Sequence, residues 1–100
     1  MNIVESVKKE INKIAPNNEV ILFGSRARGD FKEGSDWDFL ILLKKKKVSK
    51  WEKEKIRERL YELELATDEI ISSIIHSQVE WENRSATPIY QLIKKEGKRA

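Results

Sequence analysis

Asp36 and Asp38 lie two residues apart in the run Ser35-Asp36-Trp37-Asp38-Phe39-Leu40-Ile41-Leu42-Leu43, and this pair is where chemistry is most legible in the chain. Side chains alternate between the faces of a strand, so both carboxylates project to one side while Trp37, Phe39 and Ile41 project to the other. Converging carboxylates repel unless a cation joins them. Mg²⁺ suits such a pair because it accepts one or two carboxylates and fills its octahedron with water and phosphate oxygens. A phosphate cradle is readable upstream. Ile21, Leu22 and Phe23 end a strand, Gly24 permits a sharp turn or a close approach to a ligand, and Ser25 can cap the short helix predicted over Arg26 to Gly29. Free amides at such a turn would face an anion. Ten residues separate Ser25 from Asp36, enough for a helical turn and a loop before a neighbouring strand. Both halves can then face one cleft, which points to chemistry on a nucleoside triphosphate.

The order Gly24-Ser25, ten residues, then Asp36-X-Asp38 resembles the nucleotidyltransferase superfamily related to DNA polymerase beta. It is most similar to the minimal nucleotidyltransferases that are commonly paired with a HEPN-domain protein in toxin–antitoxin systems. The resemblance runs from the first helix to the last, and the motif region is its specific part. It implies a Mg²⁺-dependent transfer of a nucleoside monophosphate, AMP from ATP, to a hydroxyl of a HEPN-type partner, and so an antitoxin. By the same resemblance Asp36 and Asp38 hold two Mg²⁺ ions that clamp the attacking and leaving oxygens. Gly24 and Ser25 hold the β- and γ-phosphates through backbone amides and the serine hydroxyl. Arg26 and Arg28 are further nucleotide-binding candidates, since guanidinium forks match phosphate oxygens. The family's third catalytic carboxylate usually sits on the following strand, where it completes the second metal site. Asp68, just before that strand, is the candidate, because the strand centre holds Ser72 and Ser73. The alternative is a noncatalytic module with a degenerate site that binds nucleotide or partner alone.

Periodicity supplies the elements that must position these groups. Asn2 with Glu5 three residues on reads as a helix cap, and Ile3, Val7, Ile11 and Ile14 form an apolar stripe before Pro16. Val20 to Phe23 and Asp36 to Leu43 read as strands, and the unbroken run Phe39 to Leu43 predicts a central strand covered on both faces. Ser49 and Glu52 form a capping box for a helix with Ile56, Leu60 and Leu63 inward, and with Glu52/Lys55 and Glu54/Arg57 as surface pairs. Ile70 to Ile75 predicts a third strand, followed by a helical turn over Val79 to Asn83. A last helix starts at Thr87-Pro88, turns Ile89, Leu92 and Ile93 inward and stops at Gly97. The expected architecture is α+β in the order α-β-β-α-β-α, a small mixed sheet packed against helices.

One hundred residues suit a single domain over 1–100, near the lower limit for a self-sufficient core. No apolar stretch approaches the length of a membrane span, so no membrane role is expected. Glu5 and Glu10 interrupt what would otherwise be a leader, and the chain has no cysteine, which fits a cytoplasmic protein. A net charge of +3, from 20 basic and 17 acidic side chains, gives only mild attraction for polyanions. Nucleic acid is therefore not an expected partner, and Lys44 to Lys47 read as a solvated loop. His76 has no second ligand, and Trp37, Trp51 and Trp81 read as core or interface anchors.

Overall fold

A computed structural model describes residues 2–100. Helix α1 (Ile3–Ile14) begins at the expected cap, where the Asn2 side chain accepts the Glu5 amide, and it buries Ile3, Val7 and Ile11. Strand β1 (Asn18–Phe23), the short α2 (Ser25–Arg28) and β2 (Trp37–Leu43) follow, then α3 (Lys50–Thr67) and β3 (Ile71–Ser77). The chain closes with α4 (Gln78–Glu82), α5 (Pro88–Glu96) and a two-residue strand β4 (Lys98–Arg99). The sheet runs β3-β2-β1-β4. β1 is antiparallel to both β2 and β4, and β2 is parallel to β3, so the sheet is mixed as expected.

Alternation along the strands sorts the core into two layers. Val20, Leu22, Phe39, Ile41, Leu43 and Ile75 face α1 and α3, where Val7, Ile11, Ile56 and Leu60 meet them. Leu40 and Leu42 face the other way, onto Trp81 and Ile93, with Ile21, Phe23, Ile74 and Tyr90 packed around them. Every residue from Phe39 to Leu43 is buried, which accounts for the unbroken apolar run. Asp36 and Asp38 share the face of Leu40 and Leu42.

Four details depart from the sequence reading. β4 was not expected, because a two-residue strand leaves no pattern to read. Ile89 and Leu92 are exposed, since α5 docks mainly through Ile93 and Tyr90 and leaves its other apolar side chains outside that contact. Ile70 is exposed and precedes the strand, which starts at Ile71. On α3 the acids take other partners: Lys45 reaches back from the preceding loop to Glu52 at 2.8 Å, and Lys50 lies 3.9 Å from Glu54.

Candidate active site

The carboxylates and the glycine turn meet at one end of the sheet. Antiparallel pairing sets Phe23 opposite Asp38, so the residue after Phe23 is delivered to the aspartate. Gly24 adopts φ +77° and ψ −161°, a region that essentially only glycine occupies. A Cβ there would collide with Asp38 Oδ2. The turn and the carboxylate are therefore in direct apposition, and glycine is the residue that allows it. Ala27, buried against the α1 face of the sheet, fixes α2 from below, and Gly29 ends it with φ +89°. Ser25 sits at the start of this turn. Among the described residues, its amide and hydroxyl have no hydrogen-bond acceptor, nor has the Arg26 amide.

Parallel pairing on the other side of β2 sets Ser72 opposite Asp38, and the Ser72 hydroxyl donates to Asp36 Oδ2 at 3.2 Å. A serine thus stands on the neighbouring strand beside the paired acids. Asp68 is the C-cap of α3, exposed, with φ +57°, and its amide bonds back to Glu64 O. Its side chain makes no hydrogen bond to Asp36 or Asp38. Burial and the adjacent Asp36 charge raise the Asp38 carboxyl above its ordinary value; Arg28 opposes this and Glu96 adds to it.

The two arginines have different surroundings. Arg26, with a side chain only 10% exposed, donates from Nε and Nη2 to Ser35 O at 3.3 and 3.1 Å. Its guanidinium lies 4.3 Å from the Phe31 ring centroid and 4.4 Å from that of Trp37. Trp37 in turn donates from Nε1 to Glu69. This clamp holds the loop between α2 and β2 and fixes where Asp36 begins, on the far side of β2 from the carboxylates. Arg28 remains on the cradle, with Nε on Asp30 at 3.1 Å and Nη1 on Glu96 at 2.9 and 3.2 Å.

Glu96 is the site residue that sequence reasoning missed. From the last turn of α5 its carboxylate accepts the Gly24 amide at 2.9 Å as well as Arg28 Nη1. A faint signal existed, because an acid at a helix C-terminus opposes the helix dipole and needs a compensating partner. That partner lies 68 to 72 residues away in sequence, beyond the reach of local patterns.

Among the described residues, no group of three or more His, Cys, Asp or Glu side chains is arranged to enclose a metal. Asp36 and Asp38 nevertheless fit the hard, oxygen-only preference of Mg²⁺, which needs just one or two carboxylates when a substrate phosphate completes its sphere. Burial first, and then the neighbouring Asp36 charge, raise the Asp38 carboxyl, and a bound cation would offset that charge.

A mixed sheet thus presents paired aspartates next to a glycine turn with free donors. The family profile for the nucleotidyltransferase domain matches residues 4–96, and the chain belongs to that family; it is a nucleotidyltransferase. Over 80 residues it is 42% identical to a Methanocaldococcus jannaschii protein provisionally named a protein adenylyltransferase, covering 78% of this chain and 80% of the relative. Among solved structures it resembles a chain of a toxin–antitoxin complex with AMP-PNP, with a TM-score of 0.69 and 21% identity over 98% of this chain and 72% of that one. A mutant of the toxin–antitoxin MntA-HpeT gives a TM-score of 0.68 at 20% identity, over 99% of this chain and 72% of that one. At these identities the likeness establishes the fold. No helix among the described residues is long and apolar enough to cross a membrane.

Proposed function

We propose that this protein transfers AMP from ATP to a hydroxyl of a HEPN-type partner protein, with Mg²⁺ as cofactor, and thereby acts as the antitoxin of a toxin–antitoxin pair. The observation that carries this reading is the apposition of Gly24 and Asp38, which makes the cradle and the carboxylates one site. The name of the Methanocaldococcus relative favours adenylyl transfer to protein, and the toxin–antitoxin neighbours favour the biological setting. The MntA-HpeT mutant carries two aspartate-to-glutamate changes two positions apart, the spacing of Asp36 and Asp38 here.

In this reading Asp36 and Asp38 hold the metal. When bound, Mg²⁺ offsets the charge that develops on the phosphate and leaving oxygens. The Ser25 amide and hydroxyl, the Arg26 amide and the free edge of Arg28 take the β- and γ-phosphate oxygens, so that pyrophosphate leaves into fixed donors. The Ser72 hydroxyl orients Asp36. The Arg26 side chain serves by fixing the loop rather than by touching phosphate. Asp68, exposed at the end of α3 just before β3, is the candidate third carboxylate for the acceptor hydroxyl.

Incubation of the protein with a HEPN-type partner and Mg-ATP, followed by intact-mass spectrometry, tests this. The partner should gain the mass of one or more AMP groups, and Asp38→Ala should abolish the gain. The second reading, neutralisation by contact alone, is favoured by one observation: a serine rather than an acid stands beside Asp36. An unmodified partner whose activity is still suppressed would decide for it.

A further inference from the structure

The last turn of α5 is tied to the cradle by a single carboxylate. Glu96 has a side chain only 9% exposed, so it is a built part of the interior and not a passing surface contact. Its approach depends on Gly97, where a Cβ would lie 2.6 Å from Ile21 Cγ2 and 2.5 Å from Ile93 O. Beyond it, Lys98 and Arg99 pair with Leu22 and Ile21, which anchors the chain on β1 directly before the Gly24 turn. The backbone on both sides of Glu96 is thus fixed.

The carboxylate divides its bonds in an informative way. It closes the Gly24 amide and the Nη1 edge of Arg28, while Asp30 closes Nε. The Ser25 donors and Arg28 Nη2 remain without a protein acceptor among the described residues. A group competing with phosphate would cover the donors that phosphate needs. Glu96 takes one donor that the sequence reading gave to phosphate, the Gly24 amide, and leaves the Ser25 donors and Arg28 Nη2 presented.

We infer that Glu96 is a positioning residue for triphosphate binding: it holds the Gly24 turn and aims the free edge of Arg28, so that docking of α5 sets nucleotide affinity. This deepens the proposed function and rests on its nucleotide site. A guanidinium held on two edges by carboxylates loses little freedom when its third edge meets a phosphate oxygen, which is the benefit of preorganisation.

Calorimetric titration with Mg-AMP-PNP tests it, using wild type, Glu96→Gln, Arg28→Ala and the double variant. Glutamine keeps an oxygen for the Gly24 amide and removes the charge that aims Arg28. Glu96→Gln should weaken binding about tenfold, the scale of one charge-assisted hydrogen bond. In the Arg28→Ala background the same change should add almost nothing, because Glu96 acts through Arg28. Melting curves run alongside keep the result readable, with titrations made well below each midpoint. Should Glu96→Gln not fold, Glu96→Asp, which keeps the charge but withdraws it by one methylene, should show the same loss. Unchanged affinity with a lowered midpoint would make the contact merely structural and overturn the inference. Tighter binding would also overturn it, by showing that the carboxylate competes with phosphate. Failure of the wild type to bind would remove the nucleotide site itself, a different result from equal binding by wild type and variant.

Discussion

Asp38 carries the sharpest consequence of the local electrostatics. Its raised carboxyl means that the folded chain holds that proton more tightly than the unfolded chain does. The contribution to stability is then fully present below the ordinary aspartate value of 3.8 and is lost as pH rises through the raised folded value. At neutral pH the ionised group weighs against the metal-free fold. Asp38→Asn should therefore melt higher than wild type at pH 7 without metal, and the difference should shrink as the pH falls into the acid range. A lower midpoint for the variant at pH 7 would contradict this balance. Gly24 makes a second residue-scale prediction. Gly24→Ala combines forbidden dihedrals with a collision at Asp38, and it should cost about 1 to 3 kcal/mol of stability, measurable by urea unfolding, together with nucleotide binding. The paired aspartates and the glycine were legible in sequence because strand alternation and turn chemistry are local rules. The surroundings of Arg26 were not. Its aromatic and carbonyl partners lie within eleven residues, yet nothing in the order of residue types says that the side chain turns toward them and away from the cradle.

At the scale of elements, caps and stripes translated well. The capping box of α3 is present with both reciprocal bonds, Ser49 Oγ accepting the Glu52 amide and Glu52 accepting the Ser49 amide. Ser49→Ala should cost about 1 kcal/mol. For a chain this small that lowers the melting midpoint by roughly 4 to 8 °C. Nucleotide affinity should stay unchanged, because α3 lies on the face of the sheet opposite the carboxylates. A loss of affinity in this variant would show that the two faces are coupled. Less legible was how a short helix docks. The periodicity of α5 is compatible with Ile89, Leu92 and Ile93 all facing inward, but only Ile93 reaches the layer formed by Leu40, Leu42 and Trp81. Amphipathic spacing states which residues share a stripe; the width of the surface available to cover it is a tertiary fact. β4 was invisible for a related reason, since its existence depends on where Gly97 lets the chain approach Ile21.

For the whole molecule, the two core layers set the Asp36-Asp38 pair at one end of β2, with the α1 and α3 layer on one side of the sheet and the docked α5 on the other. The architecture was legible because β2 is buried on both faces and must be central, and because the remaining helices have nowhere else to bury their stripes. The central claim is that the Gly24-Ser25 turn and the Asp36-Asp38 pair form one site for a nucleoside triphosphate and a divalent cation. Thermal melts of the wild type and of the Asp36→Asn/Asp38→Asn double variant, with Mg²⁺, with ATP and with both, test that claim most directly. At ligand concentrations about 100 times the dissociation constant, the wild type should gain about 2.7 kcal/mol. Mg²⁺ and ATP together should stabilise it more than the sum of each alone, and the double variant should lose that excess. An equal shift in both proteins would contradict the account, because the paired aspartates would then take no part in holding metal and nucleotide.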